Sequence, residues 1–140
     1  MSRLVARTAK RLSLPVALGA VALALVTFAP WAQAADQDAA ATALAAKSGC
    51  MACHQVNTGG KGPDGLAPIG PAWRDVASKY RGQAGAEKQL TATVLAGSNP
   101  YESHWKGKVS GLAMPPNHVA ISNADASKLV KWILALEPRS

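Results

Sequence analysis

Five consecutive residues, Cys50-Met51-Ala52-Cys53-His54, carry the clearest chemistry in the sequence. The pattern C-x-x-C-H is the attachment signal for haem c. Two thiols one helical turn apart can form thioether bonds to the two vinyl groups on one side of a porphyrin. The adjacent imidazole is then held beneath the iron as an axial ligand. The motif therefore predicts one covalently attached haem c, bonded to Cys50 and Cys53 and ligated by His54.

Three other chemistries use a pair of cysteines at this spacing. A thioredoxin-like site is expected in a βαβ setting, whereas the flanks here are helical and rich in alanine. A zinc site needs four ligands, and the chain has two cysteines and three histidines without a second ligand pair. A disulfide would close a very small loop and contribute little stability. The haem interpretation is favoured because the chain also carries an export signal and has no other cysteine.

A sixth ligand for the iron is expected from Met114. It lies in the segment 111–117, where two prolines directly after it keep the backbone extended and stiff. Met51 lies inside the attachment motif and cannot reach the opposite face of the haem. Met114 could instead fill a gap in the core, as methionine often does. His104 and His118 remain alternative ligands, although surface positions are favoured for both.

The N-terminal segment has the three parts of a secretory signal peptide. Four of the fifteen lysines and arginines fall within the first eleven positions, and no acidic residue precedes Asp36. An apolar run over 12–29 follows, and an Ala-x-Ala site stands at 32–34. The pattern predicts export, which in a bacterium means the periplasm.

Cleavage is expected after Ala34, or alternatively after Ala35. Residues 1–34 would then be a cleaved signal peptide, and 35–140 one domain. The alternative is an uncleaved membrane anchor. The apolar run over 12–29 is barely long enough for that, because a membrane-spanning helix needs about 20 residues. Of the net charge of +7, +3 would remain on the domain. A nucleic-acid-binding surface is therefore not expected.

The domain is expected to consist of helices joined by loops rich in glycine and proline, because no segment shows the two-residue alternation of a strand. Ser122 is the expected N-cap of the last helix, with a buried stripe at 129, 132, 133 and 136. The irregular segment 98–117 is expected to wrap the haem. The predicted helices cover 36–47, 71–81, 84–96 and 123–136.

Several short motifs occur together with the attachment signal. They include Met-Pro-Pro-Asn at 114–117, Gly-Pro-Ala-Trp at 70–73 and Lys-Trp-Ile-Leu at 131–134. In this order they make the chain resemble a class I cytochrome c, most closely the short bacterial cytochrome c-551 type. The resemblance covers nearly all of the expected domain.

This resemblance implies an all-α fold of about four helices around one haem, and a non-enzymatic one-electron carrier in a periplasmic respiratory chain. Its partners would be redox proteins that donate and accept electrons, such as nitrite reductase, an oxidase or a peroxidase. It implies His54 and Met114 as axial ligands. The Pro71 carbonyl would accept a hydrogen bond from the haem histidine, and Trp105 would donate one to a haem propionate. A monomer without stable membrane insertion after cleavage is expected.

Three positions depart from the family pattern. The loop over 55–69 looks longer than in the shortest members. Thr93 stands where an arginine often contacts a propionate, so that partner is in doubt. Ala45 stands where an aromatic residue faces the tryptophan of the last helix, so Trp132 is expected to pack differently. None of these departures affects iron ligation.

Two other functions remain as alternatives to a free carrier. The chain could be the haem subunit of a larger redox complex, or a ligand-binding haem domain from which Met114 dissociates. Lysines such as Lys61, Lys106 and Lys108 could steer acidic partners, although each could equally be part of a solvated surface.

Overall fold

Four α-helices and two short 3-10 turns form the regular structure of residues 30–138, which are the residues that the computed structural model describes. Among these residues there is no strand, and an isolated bridge joins Lys106 to Val109. The predicted all-α fold is therefore confirmed. In chain order the helices are α1 (Pro30–Lys47), α2 (Trp73–Tyr80), α3 (Ala86–Ala96) and α4 (Asn123–Ala135), and the 3-10 turns cover Cys50–Ala52 and Pro63–Gly65.

The helix α1 begins earlier than the sequence predicts. A helix was expected over 36–47, whereas α1 begins at Pro30 and continues through the expected cleavage site after Ala34. Its added first residues are rich in alanine, which has the highest helix propensity. The rest of the expected signal peptide, residues 1–29, lies outside the described residues. No described helix has both the length and the apolar character needed to cross a bilayer.

The helices α2 and α3 each begin two residues later than predicted. The sequence pattern favours starts at Pro71 and Ala84, whereas α2 begins at Trp73 and α3 at Ala86. The residue before α2 is extended, with ψ of 141°. The residue before α3 is Gly85, which has a left-handed backbone with φ of 78°. Neither conformation can continue a right-handed helix, so both helices are shorter than predicted.

The helix α4 matches its prediction closely. It begins at Asn123, and the Ser122 hydroxyl accepts a hydrogen bond from the Asp125 N–H at 3.1 Å, as expected of an N-cap. It ends at Ala135, one residue early, because the next residue is extended. Three of the four predicted core positions are buried, whereas Trp132 is only partly buried.

The hydrophobic core is built around α4, which packs against α1, α2 and α3. Burial of its apolar side chains is the main favourable contribution to folding. The residues Trp73, Val76 and Ala77 of α2 are buried in this core, and Tyr80 on the same helix is partly buried. The buried core residues are Ala41, Ala45, Trp73, Val76, Ala77, Ile121, Ala126, Leu129, Ile133 and Leu136.

The contact between α1 and α4 depends on a small residue and an indole. Ala45 is fully buried. Because its side chain is only a methyl group, it offers Trp132 no aromatic ring to pack against. The Trp132 ring instead packs edge-on against Trp73, with centroids 5.5 Å apart and planes at 84°. Its Nε1–H donates to the Asp38 carboxylate at 2.8 Å. This indole therefore joins α1, α2 and α4.

Arg74 is a buried cation on α2, with only 8% of its surface exposed. Its Nε donates to Asn57 Oδ1 at 3.0 Å, and its Nη1 donates to the Glu137 carbonyl oxygen. Among the described residues no carboxylate forms an ion pair with it. Arg74 therefore fastens the chain after α4 to α2 through hydrogen bonds from a charged donor.

We expect Arg74→Met to lower the free energy of unfolding by about 2–4 kcal/mol. The variant keeps an apolar stem but removes hydrogen bonds from a charged donor, which contribute roughly 1.5–3 kcal/mol each. Arg81 is the matched control because it also contacts the segment after α4, by a hydrogen bond to the Leu136 carbonyl and an ion pair with Glu137, but its side chain is at the surface. Arg81→Met should cost less than about 1 kcal/mol. Urea unfolding of the three proteins measures both values, and equal losses would contradict this role of Arg74.

Candidate cofactor site

A cavity of about 220 Å³ brings together residues that are far apart in the sequence. Its walls come from the cysteine-bearing turn, from α2, α3 and α4, and from the segment 98–117. Most of its lining is apolar, with Val76, Leu90, Leu129 and Ile133 at the helix side. All six residues singled out from the sequence line it, namely Cys50, Cys53, His54, Pro71, Trp105 and Met114.

The cysteine-bearing turn follows α1 directly. Gly49, with φ of 76°, ends the helix and starts the 3-10 turn Cys50–Ala52. The N–H groups of Cys53 and His54 both donate to the Cys50 carbonyl, at 3.3 and 3.1 Å. This compact turn places both thiols and the imidazole on one wall of the cavity. Both cysteines are partly buried, and no disulfide joins them.

A hydrogen bond orients the imidazole of His54. Its Nδ1 lies 2.8 Å from the carbonyl oxygen of Pro71. Because a carbonyl can only accept, Nδ1 carries the hydrogen and Nε2 keeps a free lone pair. Burial lowers the pKa of His54, although the bond to Pro71 opposes that change. The ring is therefore neutral near neutral pH, as a metal ligand must be.

Two neighbours confine the same ring. The Trp73 indole stacks on it, with centroids 5.9 Å apart and planes 20° from parallel. On another side, a Cβ at Gly70 would lie 2.8 Å from His54 Cε1 and 3.1 Å from the Cys53 carbonyl oxygen. Only glycine leaves room for the imidazole at this position. The plane of the ring is thus determined by packing as well as by its hydrogen bond.

Met114 enters the cavity from a loop that is tied to the end of α3. Its N–H donates to Ser98 Oγ at 2.8 Å, and its carbonyl accepts from the Ser98 N–H at 2.9 Å. The Asn117 amide donates to the Pro115 carbonyl at 2.7 Å and to the Val94 carbonyl at 3.2 Å. Gly97, with φ of 87°, lets the two chain segments approach closely. The methionine is therefore positioned without a helix of its own.

The donor atoms of this cavity suit a covalently attached haem. Two thiols can form thioethers, a neutral imidazole offers a nitrogen, and a thioether sulfur lies in the same apolar space. His104 and His118, the alternative ligands, do not line the cavity. Within residues 30–138 no group of three or more His, Cys, Asp or Glu side chains is arranged to hold a metal ion.

Several residues that shape the site were not singled out from the sequence. Trp73 was noted only as part of the Gly-Pro-Ala-Trp motif, whereas its indole stacks on His54. Ser98 and Asn117 bear on Met114 through hydrogen bonds that no periodicity indicates. A glycine followed by proline was the available signal for Gly70, because such a pair marks a place where the backbone approaches another group.

Comparison with known proteins gives a consistent assignment. The profile of the family described as Cytochrome c matches residues 36–137. The chain is 43% identical over 93 residues to cytochrome c-551 of Allochromatium vinosum, an alignment that covers 66% of this chain and 82% of that protein. It is 41% identical over 124 residues to cytochrome c-552 of Nitrosomonas europaea, with coverages of 86% and 95%.

Similarity extends to solved structures. The crystal structure of wild-type Nitrosomonas europaea cytochrome c552 superposes with a TM-score of 0.54 at 38% sequence identity. The superposition covers 69% of this chain and 99% of that chain. Nearly the whole of that structure therefore has a counterpart here.

We expect Gly97→Ala to destabilise the protein by about 3 kcal/mol. Its backbone, with φ of 87° and ψ of 174°, lies in a region that is essentially restricted to glycine. An added Cβ would also lie 2.9 Å from the Met114 carbonyl oxygen and 3.1 Å from the Pro116 nitrogen. Gly107→Ala is the control, since φ there is 75° but no atom lies within 4 Å of the added Cβ. Chemical denaturation should show a loss of about 1–2 kcal/mol in the free energy of unfolding for that control. An equal or smaller loss for Gly97→Ala would disprove the close approach between Gly97 and the Met114 segment.

Proposed function

The chain belongs to the cytochrome c family, and we propose that it is a periplasmic carrier that passes single electrons between redox enzymes of a respiratory chain. As a cytochrome c it binds covalently attached haem c, carries electrons and is not an enzyme. The respiratory role, the periplasmic location and the duties of individual residues are the proposal. The observation that carries it is the convergence of two thiols, His54 and Met114 on one apolar cavity.

Each residue of the cavity has a proposed duty. Cys50 and Cys53 would hold the haem through thioether bonds, and His54 would bind the iron through Nε2. Met114 would bind the iron through its sulfur. When bound, the haem supplies one-electron chemistry, with its iron changing between the ferrous and ferric states. With both His54 and Met114 bound to the iron, the site would leave no place for a substrate.

Two further residues support those ligands. The Pro71 carbonyl, 2.8 Å from His54 Nδ1, fixes the tautomer that leaves Nε2 free for the iron. Trp105 lines the cavity and is proposed to donate its indole N–H to a haem propionate. Thr93 also lines the cavity, but its hydroxyl donates to the Gln89 carbonyl at 3.0 Å and stays on its own helix.

Electrons would enter and leave where the cavity reaches the surface. Leu112 lines the cavity and is 86% exposed, so an apolar edge faces solvent at that point. The exposed side chains of Lys61, Lys106 and Lys108 lie on loops. Cationic groups around an apolar contact would attract acidic redox partners, such as a nitrite reductase, an oxidase or a peroxidase.

Export through a cleaved signal peptide is the remaining part of the proposal. It is supported by the basic first eleven residues, the apolar run over 12–29 and the Ala-x-Ala site at 32–34. Covalent attachment suits an exported protein because the cofactor cannot be lost by dilution. After cleavage a monomer that begins at Ala35 is proposed, with no stable insertion in the membrane.

We expect Met114→Ala to abolish the long-wavelength sulfur-to-iron band of the ferric protein and to allow rapid carbon monoxide binding in the ferrous state. The wild-type protein should show the band and should not respond to carbon monoxide. Met51→Leu is the control, because Met51 lies within the attachment turn and should keep wild-type spectra. Rapid carbon monoxide binding by the wild type would instead favour the ligand-binding alternative, and a band that survives in the Met114 variant would remove Met114 as the ligand.

We expect the exported protein to begin at Ala35 and to carry one haem. Intact-mass measurement of the periplasmic fraction should give the mass of residues 35–140 plus one haem. A variant with Ala32→Leu and Ala34→Leu should accumulate uncleaved in the membrane, because both small residues of the cleavage site are lost. Wild-type protein that keeps residues 1–34 would contradict cleavage and favour the anchored alternative.

A further inference from the structure

A second cavity, of about 350 Å³, adjoins the first. The two share Gly70, Pro71, Trp105 and Val109 as lining residues, so these side chains and this stretch of backbone form a common wall. Pro71, whose carbonyl is the hydrogen-bonding partner of His54, is thus a lining residue of both cavities. None of the duties proposed above uses its interior.

The charged groups of this second cavity are mainly cationic. Lys79, His104 and Lys108 line it, against one carboxylate, Asp75. Among the described residues neither lysine forms an ion pair with a carboxylate. Partial desolvation and the charges of Lys108 and Lys79 lower the pKa of His104. Lys79 and Lys108 are thus two cations in one cavity, and His104 beside Lys108 is a neutral imidazole near neutral pH. We call Lys79, His104 and Lys108 together the basic cluster.

The ammonium groups of both lysines in the basic cluster have defined neighbours. Lys108 Nζ is 3.2 Å from His104 Nε2 and 5.7 Å from the centre of the Trp105 ring. Lys79 Nζ lies 5.4 Å from the centre of the Tyr80 ring. Aromatic faces attract an ammonium group only weakly when it is exposed. Both lysines therefore keep hydrogen-bond donors available for a stronger acceptor.

Two amide side chains of the cavity already have hydrogen-bond partners, whereas Ser78 and Asp75 line it without a side-chain hydrogen bond among the described residues. The Gln55 amide donates to the Lys61 carbonyl at 3.0 Å, and Asn57 Oδ1 accepts from Arg74 at 3.0 Å. An occupant would therefore be recognised by charge and by the donors of the basic cluster. Such donors suit an oxyanion, whose several acceptor oxygens can be shared among them.

We propose that this second cavity is a binding site for a small divalent oxyanion, of the sulfate or phosphate type, held by Lys79, His104 and Lys108. The anion would lie across the shared wall from the proposed haem. Its effect on the haem rests on the function proposed above, whereas its binding does not. An anion favours the oxidation state with more positive charge, so the ferric protein should bind it more tightly. By linkage, bound anion should then lower the reduction potential.

Sulfate is the sharper probe, because its charge does not change near neutral pH. Binding is measured by calorimetry on the haem-loaded protein, with sodium sulfate replacing sodium chloride at constant ionic strength. We expect one sulfate per protein, and an affinity for the ferric form about fivefold or more above that for the ferrous form. The potential measured at the same ionic strength should fall as sulfate replaces chloride.

Two double variants separate this site from general surface charge. Lys79→Met with Lys108→Met removes two charge-assisted donors and should weaken sulfate binding by at least about tenfold. Lys88→Met with Lys128→Met removes the same charge from exposed positions on α3 and α4, and should leave the affinity within about twofold. Circular dichroism confirms that both variants are folded.

Three results would overturn the proposal. Sulfate that does not bind the wild type would mean that the basic cluster only neutralises a haem propionate. Equal losses in the two double variants would mean diffuse screening rather than a site. If the variant with Lys79→Met and Lys108→Met bound sulfate with normal affinity but passed electrons more slowly to an acidic partner, the basic cluster would serve docking. In each case the spectral test on Met114 still decides the proposed carrier function independently.

Discussion

The hydrogen bond between His54 Nδ1 and the Pro71 carbonyl, 2.8 Å long, joins two parts of the chain that are 17 residues apart. It assigns the ring proton and so leaves the other nitrogen available to a metal. It also explains why α2 begins late, since the Pro71 carbonyl accepts from the imidazole and the Asp75 N–H, which would reach Pro71 in a longer helix, donates to the Ala72 carbonyl instead.

The orientation of the His54 imidazole depends on the packing of the core in this protein. The imidazole is stacked on Trp73, which meets Trp132, whose indole in turn donates to Asp38 on α1. A shift of α4 would thus be transmitted to the ring of His54 through two aromatic contacts. The absence of an aromatic residue at Ala45 does not loosen this arrangement, because the Asp38 hydrogen bond fastens α1 to α4 instead.

Sequence reasoning reached the parts of the structure that are encoded locally. The C-x-x-C-H pattern, the N-cap at Ser122 and the apolar stripe of α4 depend on fixed spacings. Pro71 and Trp105 were instead expected only from the resemblance to class I cytochromes c. Boundaries at α2 and α3 were missed because long-range hydrogen bonds and the left-handed Gly85 decide them. The bonds from Ser98 and the stack of Trp73 were missed for the same reason, since pairing between distant segments leaves no periodic trace.

The two candidate ligands are held by different means, and this difference has consequences for the iron. His54 is enclosed by packed aromatic and helical structure, which responds to strain as a unit. Met114 depends on two hydrogen bonds to Ser98, one from its N–H to the Ser98 hydroxyl and one from the Ser98 N–H to its carbonyl, in a segment without helix. The methionine side is therefore where a member of this fold could exchange a closed coordination for an open one. In this chain Gly97 and Ser98 hold the Met114 segment against the end of α3, which the proposed ligand role of Met114 would require.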